Sequence, residues 1–178
     1  MTVTGFIGTV CMFPLRAIIS ASVALGIHPN TLTLIGVLIN VGAAWAIGKQ
    51  HFMLAFVIMI VANIFDFIDG KVAHNSGKVS RFGAFWDSTL DRFSDLALFT
   101  GLIWLYAKLG RNGYVLLTTL ALIFSIMTSY ARARAESLID KCKVGFMERP
   151  ERIVLFMIGA FTDRMAGVLW VILVLAIT

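Results

Sequence analysis

The sequence predicts an all-α integral membrane fold: six transmembrane helices plus an N-terminal interfacial amphipathic helix. Three observations lead there. Of the 178 residues, 59% are hydrophobic and only 14% are charged, where a soluble domain carries about 25% charge. Mean hydropathy is +0.89, more apolar surface than a soluble core of this size can hide. The apolar stretches also recur near the ~20 residues that a bilayer crossing needs.

Residues 1–27 are apolar but carry Pro14, Arg16 and several Ser and Thr residues. This composition suits a helix lying at the membrane interface, with a seventh crossing as the alternative. No basic n-region precedes it, which argues against a cleaved signal peptide. Residues 26–31 then form a turn, with Asn30 or Thr31 expected to cap the first span. The expected spans cover residues 31–47, 52–68, 82–106, 114–132, 153–161 with flanks, and 165 onward. The fifth recruits Pro150 into its first turn, where a missing N–H costs nothing. The sixth is expected to continue beyond Thr178. The whole is one domain, with residues 1–27 as a juxtamembrane helix and 28–178 as a six-helix catalytic bundle.

Charge sets the expected orientation. With the N-terminus in the cytosol, Lys49, Lys108, Arg111 and Arg164 fall outside and the other eleven Lys and Arg fall inside. That bias obeys the positive-inside rule and places both termini and the active site on the cytoplasmic side of the cell membrane. Of the acidic residues only Asp163 falls outside. The net charge of +5 is thus a topology signal, and no soluble basic domain exists to bind nucleic acid. The loops are too short for an extramembrane catalytic domain, so any chemistry comes from the helices. Cys11 and Cys142 are expected to be free packing thiols in a reducing compartment.

Acidic residues within the spans are the strongest functional signal. Asp66 and Asp69 are three apart and share a helix face; Asp87 and Asp91 are four apart and share another. Asp95 extends the second stripe by one turn, with Arg92 as its nearby cation. A short loop joins the two helices, so four carboxylates converge near one interface. Intramembrane carboxylates are expensive and mark function by default. Four together need positive charge between them. Lys71, Arg81 and Arg92 are one source, protons another, and divalent cations the best suited. Mg²⁺ takes oxygen ligands from carboxylates together with substrate phosphates, and paired ions can clamp both oxygens of a phosphoryl displacement. Helix capping and pairing with Arg and Lys is the structural alternative.

Asp66, Asp69, Gly70, Ala73, Gly83, Asp87 and Asp91 stand at the spacing D-x-x-D-G-x-x-A-R-x8-G-x3-D-x3-D. In this the chain resembles the CDP-alcohol phosphatidyltransferase family over residues 29–152, Pro29 and Asn30 included. The one departure is His74, where the family has Arg. The resemblance implies that Asp66, Asp69, Asp87 and Asp91 bind two Mg²⁺ or Mn²⁺ ions per active site and that Asp91 is also the catalytic base. It implies a nucleotide site at Asn30, Thr31, Asp69, Gly70, Ala73, His74, Ser80 and Gly83. The implied reaction moves a phosphatidyl group from a CDP-linked lipid to an alcohol, with CMP leaving. A homodimer is implied as well.

A cationic cluster follows: Arg132 and Arg134 at the end of the fourth span, Arg149 and Arg152 at the start of the fifth. Guanidinium forks suit phosphate, although a positive-inside anchor explains any single one. The segments around these arginines, and the one from Arg81 to Asp95, resemble the phosphatidylinositol-phosphate synthase branch, which has archaeal relatives using an archaeol lipid. The implied acceptor is inositol phosphate, its phosphate held by Arg132, Arg134, Arg149 and Arg152. Phosphatidylglycerophosphate synthase, using glycerol phosphate, is the alternative. A divalent-cation transporter is the remote alternative of another class. The aspartates cluster at one interface instead of crossing the membrane, which speaks against it.

Overall fold

The computed structural model describes residues 15–139 and 148–177. Every regular element among them is a helix: α1 Leu15–Ala24, α2 Pro29–Gly48, α3 Phe52–Asn75, α4 Arg81–Lys108, α5 Asn112–Glu136, α6 Arg149–Thr162 and α7 Met165–Ile177. The described residues contain no strand. Cys11, Cys142 and the first half of the expected interfacial helix lie outside the described residues.

The helix starts follow from local chemistry. α2 opens at Pro29, two residues before the expected span. His28 is extended, with φ −76° and ψ 132°, as a residue before proline prefers. Its imidazole Nδ1 accepts the Asn30 N–H at 3.3 Å, so His28, not Asn30 or Thr31, is the cap. Pro29 enters the first turn, where its fixed φ is already helical. α4 is capped by Ser80, whose Oγ accepts the Gly83 N–H at 2.9 Å. Gly77, at φ +65°, supplies the left-handed turn between α3 and α4 that other residues adopt only with strain. Pro150 sits in the first turn of α6, as the sequence predicts.

α2 packs against α3 and α4; α5 against α4 and α7; α6 against α3 and α7. Small residues set the closest approach. A Cβ on Gly101 of α4 would run into the backbone of Ala44 on α2, the kind of contact that brings membrane helices together. Phe99 and Phe156 meet edge to face, 5.0 Å between centroids, and tie α4 to α6. A second apolar cluster of Ile19, Leu32, Ile68 and Val72 seats α1 on α2 and the last turns of α3.

The outer surface is apolar too, with Leu38, Val57, Leu116 and Trp170 exposed. Three helices, α2, α3 and α5, are long and apolar enough to cross a membrane. The six expected crossings go beyond these three for physical reasons. α4 has the length, at 28 residues, but its first half carries Asp87, Asp91, Arg92 and Asp95. α6 and α7 have only 14 and 13 residues.

Candidate active site

Asp66 and Asp69 come from the last turns of α3; Asp87, Asp91 and Asp95 come from the first half of α4. Asp66, Asp87 and Asp91 each place a carboxylate oxygen within 4.8 Å of the other two. Asp69 stands beside this trio and is buried, and its Oδ2 has no hydrogen-bond partner. The Arg149 guanidinium enters the trio from α6. Its Nη1 lies 3.0 Å from Asp66 Oδ1 and 2.8 Å from Asp91 Oδ1. The second approach is an ion pair without hydrogen-bond alignment, since Asp91 Oδ1 is buried with no hydrogen-bond partner.

Two cavities are walled in part by these carboxylates. One, of about 220 Å³, lies between α2, α3 and α4. Asp69 and Asp87 line it together with Asn30, Gly70, Ala73, Ser80 and Gly83. A Cβ on Gly70 would meet nothing within 4 Å, so it would project into open space. Trp86 on α4 donates its indole N–H to the carbonyl of Asn30 on α2 at 3.3 Å. The other cavity, of about 360 Å³, lies between α4, α5 and α6, with Asp91, Arg132, Arg149 and Arg152 in its wall. Asp87 and Asp91, one turn apart on α4, thus open onto different cavities.

The spacing D-x-x-D-G to D-x3-D therefore corresponds to a built site, and its match extends well past the motif: a family model for CDP-alcohol phosphatidyltransferases matches residues 26–178. The chain belongs to the CDP-alcohol phosphatidyltransferase family. It is 40% identical over 148 residues to an archaetidylinositol phosphate synthase of Pyrococcus horikoshii, covering 83% of this chain and 76% of that protein. It is 35% identical over 153 residues to a phosphatidylinositol phosphate synthase of Mycobacteroides abscessus, covering 85% and 70%. Among solved structures, it resembles the Mycobacterium tuberculosis phosphatidylinositol phosphate synthase with CDP-DAG bound, at TM-score 0.84 and 28% identity over 92% of this chain and 87% of that one. The same enzyme in complex with manganese and citrate matches at TM-score 0.85 and 29% identity, covering 92% and 83%.

Three of the expected site residues stand outside these two cavity walls. Thr31 and His74 are exposed and do not line the α2–α3–α4 cavity. Arg134 is exposed and does not line the arginine cavity; its Nη1 donates to Ser137 Oγ at 3.4 Å. Two residues apart on a helix, Arg132 and Arg134 face different ways.

The structure also assigns partners that sequence reasoning missed. Asp95 pairs with Arg152, not with Arg92: Nη2 lies 2.6 Å and Nε 3.2 Å from Asp95 Oδ2. Nη2 also donates to Ser129 Oγ at 3.2 Å. Both ends of this pair are buried, with side chains 1% and 3% exposed. Arg92 instead donates to the Ser88 and Ser129 carbonyls. Arg132 pairs with Glu148 at 2.5 Å. Asn40 donates to Ser94 Oγ within the bundle, joining α2 to α4. Asp95 and Arg152 are far apart in sequence, and no local pattern announces their pairing.

The trio with Asp69 fits a hard divalent cation. All four side chains offer oxygen, the donor type Mg²⁺ and Mn²⁺ prefer. Two of their oxygens are buried without hydrogen bonds, a costly arrangement unless a cation is nearby.

Proposed function

We propose that this chain catalyses a metal-dependent step of phospholipid biosynthesis. It transfers the phosphatidyl group of CDP-diacylglycerol, or the matching group of CDP-archaeol, to inositol 1-phosphate. CMP is released and phosphatidylinositol phosphate, or its archaeol counterpart, is formed. The carrying observation is the cluster of Asp66, Asp87 and Asp91, with Asp87 in the wall of a carboxylate-and-glycine cavity and Asp91 in the wall of an arginine-lined one. The relatives' names support the acceptor, and the CDP-DAG complex of a homologue supports the donor.

Asp66, Asp69, Asp87 and Asp91 would hold two Mg²⁺ or Mn²⁺ ions, a reading supported by the manganese complex of the homologue. When bound, such ions offset pyrophosphate charge and stabilise the leaving CMP. Asn30, Gly70, Ala73, Ser80 and Gly83 bind the cytidine diphosphate portion, with Gly70 leaving room for it. Arg132, Arg149 and Arg152 draw the acceptor's phosphate into the other cavity. Asp91 lines that cavity and takes the proton of the acceptor hydroxyl, whose oxygen then attacks the lipid-bearing phosphorus in line. Thr31, His74 and Arg134 have no part in this assignment.

The topology belongs to the same proposal. Residues 28–178 form one six-crossing catalytic domain, with residues 1–27 as an interfacial helix. The excess of Lys and Arg at the carboxylate end supports a multi-pass cell-membrane protein with its site facing the cytoplasm. The enzyme acts as a homodimer. CMP release from CDP-diacylglycerol, measured across inositol 1-phosphate, glycerol 3-phosphate, inositol and serine, tests the activity. Inositol 1-phosphate is expected to be the best acceptor. Preference for glycerol 3-phosphate would make the chain a phosphatidylglycerophosphate synthase. No release with any acceptor would remove the proposal.

A further inference from the structure

Arg149 differs from the other arginines of its cavity in what it pairs with. Arg132 is held by Glu148, and Arg152 by Asp95. Neither acid belongs to the carboxylate trio. Arg149 is held by Asp66 and Asp91, two of the three trio members, at 3.0 and 2.8 Å through a single nitrogen, Nη1. Its Nε is buried without a hydrogen-bond partner. The guanidinium therefore sits among the carboxylates that could hold a divalent cation, while its side chain also lines the arginine cavity.

A guanidinium and a divalent cation placed on the same two carboxylates compete for them. Like charges at that separation repel strongly where water is scarce. When the carboxylates turn to a cation, Arg149 loses both ion pairs. The anion-binding cavity whose wall it already forms is the nearest place where its charge is satisfied by an acceptor phosphate. From this we infer that Arg149 is a resident counter-ion that a divalent cation displaces, and that its release couples cation binding to acceptor-phosphate binding. The inference rests on the metal and acceptor assignments above and adds a coupling between the two sites. Such coupling is reciprocal, so phosphate must tighten the cation by the same factor as the cation tightens phosphate.

The test uses the purified protein in detergent, with Mn²⁺ and inorganic phosphate as probes. Mn²⁺ affinity is measured by titration calorimetry or by the electron paramagnetic resonance of free Mn²⁺, with and without phosphate. In the unaltered protein, phosphate should tighten Mn²⁺ by about tenfold, within the usual range for coupled sites. In Arg149→Gln, Mn²⁺ alone should bind more tightly than in the unaltered protein, because no guanidinium has to be displaced. Its phosphate coupling should fall toward one. Arg149→Met repeats the measurement with the side-chain stem kept and the charge removed, and thermal melting confirms that both variants are folded.

Loss of a nearby positive charge tightens a cation even if Arg149 never moves, so the coupling factor decides. If Arg149→Gln and Arg149→Met keep the unaltered coupling factor, or bind Mn²⁺ no more tightly, the displacement is wrong and the metal assignment stands. If Mn²⁺ binds neither the unaltered protein nor the variants, the metal assignment itself fails and takes the inference with it.

Discussion

At the residue scale, Asp66, Asp69 and Asp87 are expected to act together. Asp66→Asn, Asp69→Asn and Asp87→Asn should each lose turnover along with Mn²⁺ or nucleotide affinity, since each removes charge from one small oxygen cluster. Near-normal turnover in any two would remove the two-metal reading. Asp91 differs because it opens onto the arginine cavity while Asp87 opens onto the other. Asp91→Asn should keep much of its CDP-lipid affinity, with single-turnover CMP release falling by about 10²–10⁴, the usual scale for a lost general base. Fast release in this variant would exclude it as the base. Asp66, Asp69, Asp87 and Asp91 were legible in the sequence because acids are rare in apolar helices and their spacing fixes a face. That Thr31, His74 and Arg134 stand outside the two cavity walls was not legible: a motif position fixes a helix but not which way a terminal or solvent-side residue turns.

At the element scale, α4 and α6 are joined by Asp95 and Arg152, both buried. Breaking one side should cost about 3–5 kcal/mol, because the remaining charge is stranded. Asp95→Ala and Arg152→Ala should each lower the melting temperature in detergent. Replacing both with leucine should recover much of that stability. Acceptor use should stay poor in the double variant, since Arg152 also lines the arginine cavity. If the double variant melts as low as the single ones, the pair is not the main tie between these helices. At the α2–α4 crossing, Gly101→Val should destabilise the bundle, as its Cβ would meet the Ala44 backbone. Unchanged melting would show that the helices can separate there without loss. Helix number and order were legible from apolar run length, the turn at residues 26–31 and Pro150. The pairing of Asp95 with Arg152 was not, because contacts between distant helices leave no local periodicity.

At the scale of the whole molecule, two cavities of different chemistry share one carboxylate cluster. This suits an enzyme that brings two substrates to one phosphorus. The cavity between α2, α3 and α4 is small and glycine-lined; the one between α4, α5 and α6 is cationic and larger. Composition made the membrane setting legible, but not how α4, α6 and α7 relate to the bilayer, since charge and short length blur their hydropathy. The most direct test of the account follows atoms, not rates alone. Purified protein is given CDP-diacylglycerol, Mn²⁺ and labelled inositol 1-phosphate, and both the organic and aqueous phases are assayed. The account predicts one labelled lipid formed for each CMP released, and neither product after chelation of the metal. CMP release without labelled lipid, or transfer undiminished by chelator, would contradict it.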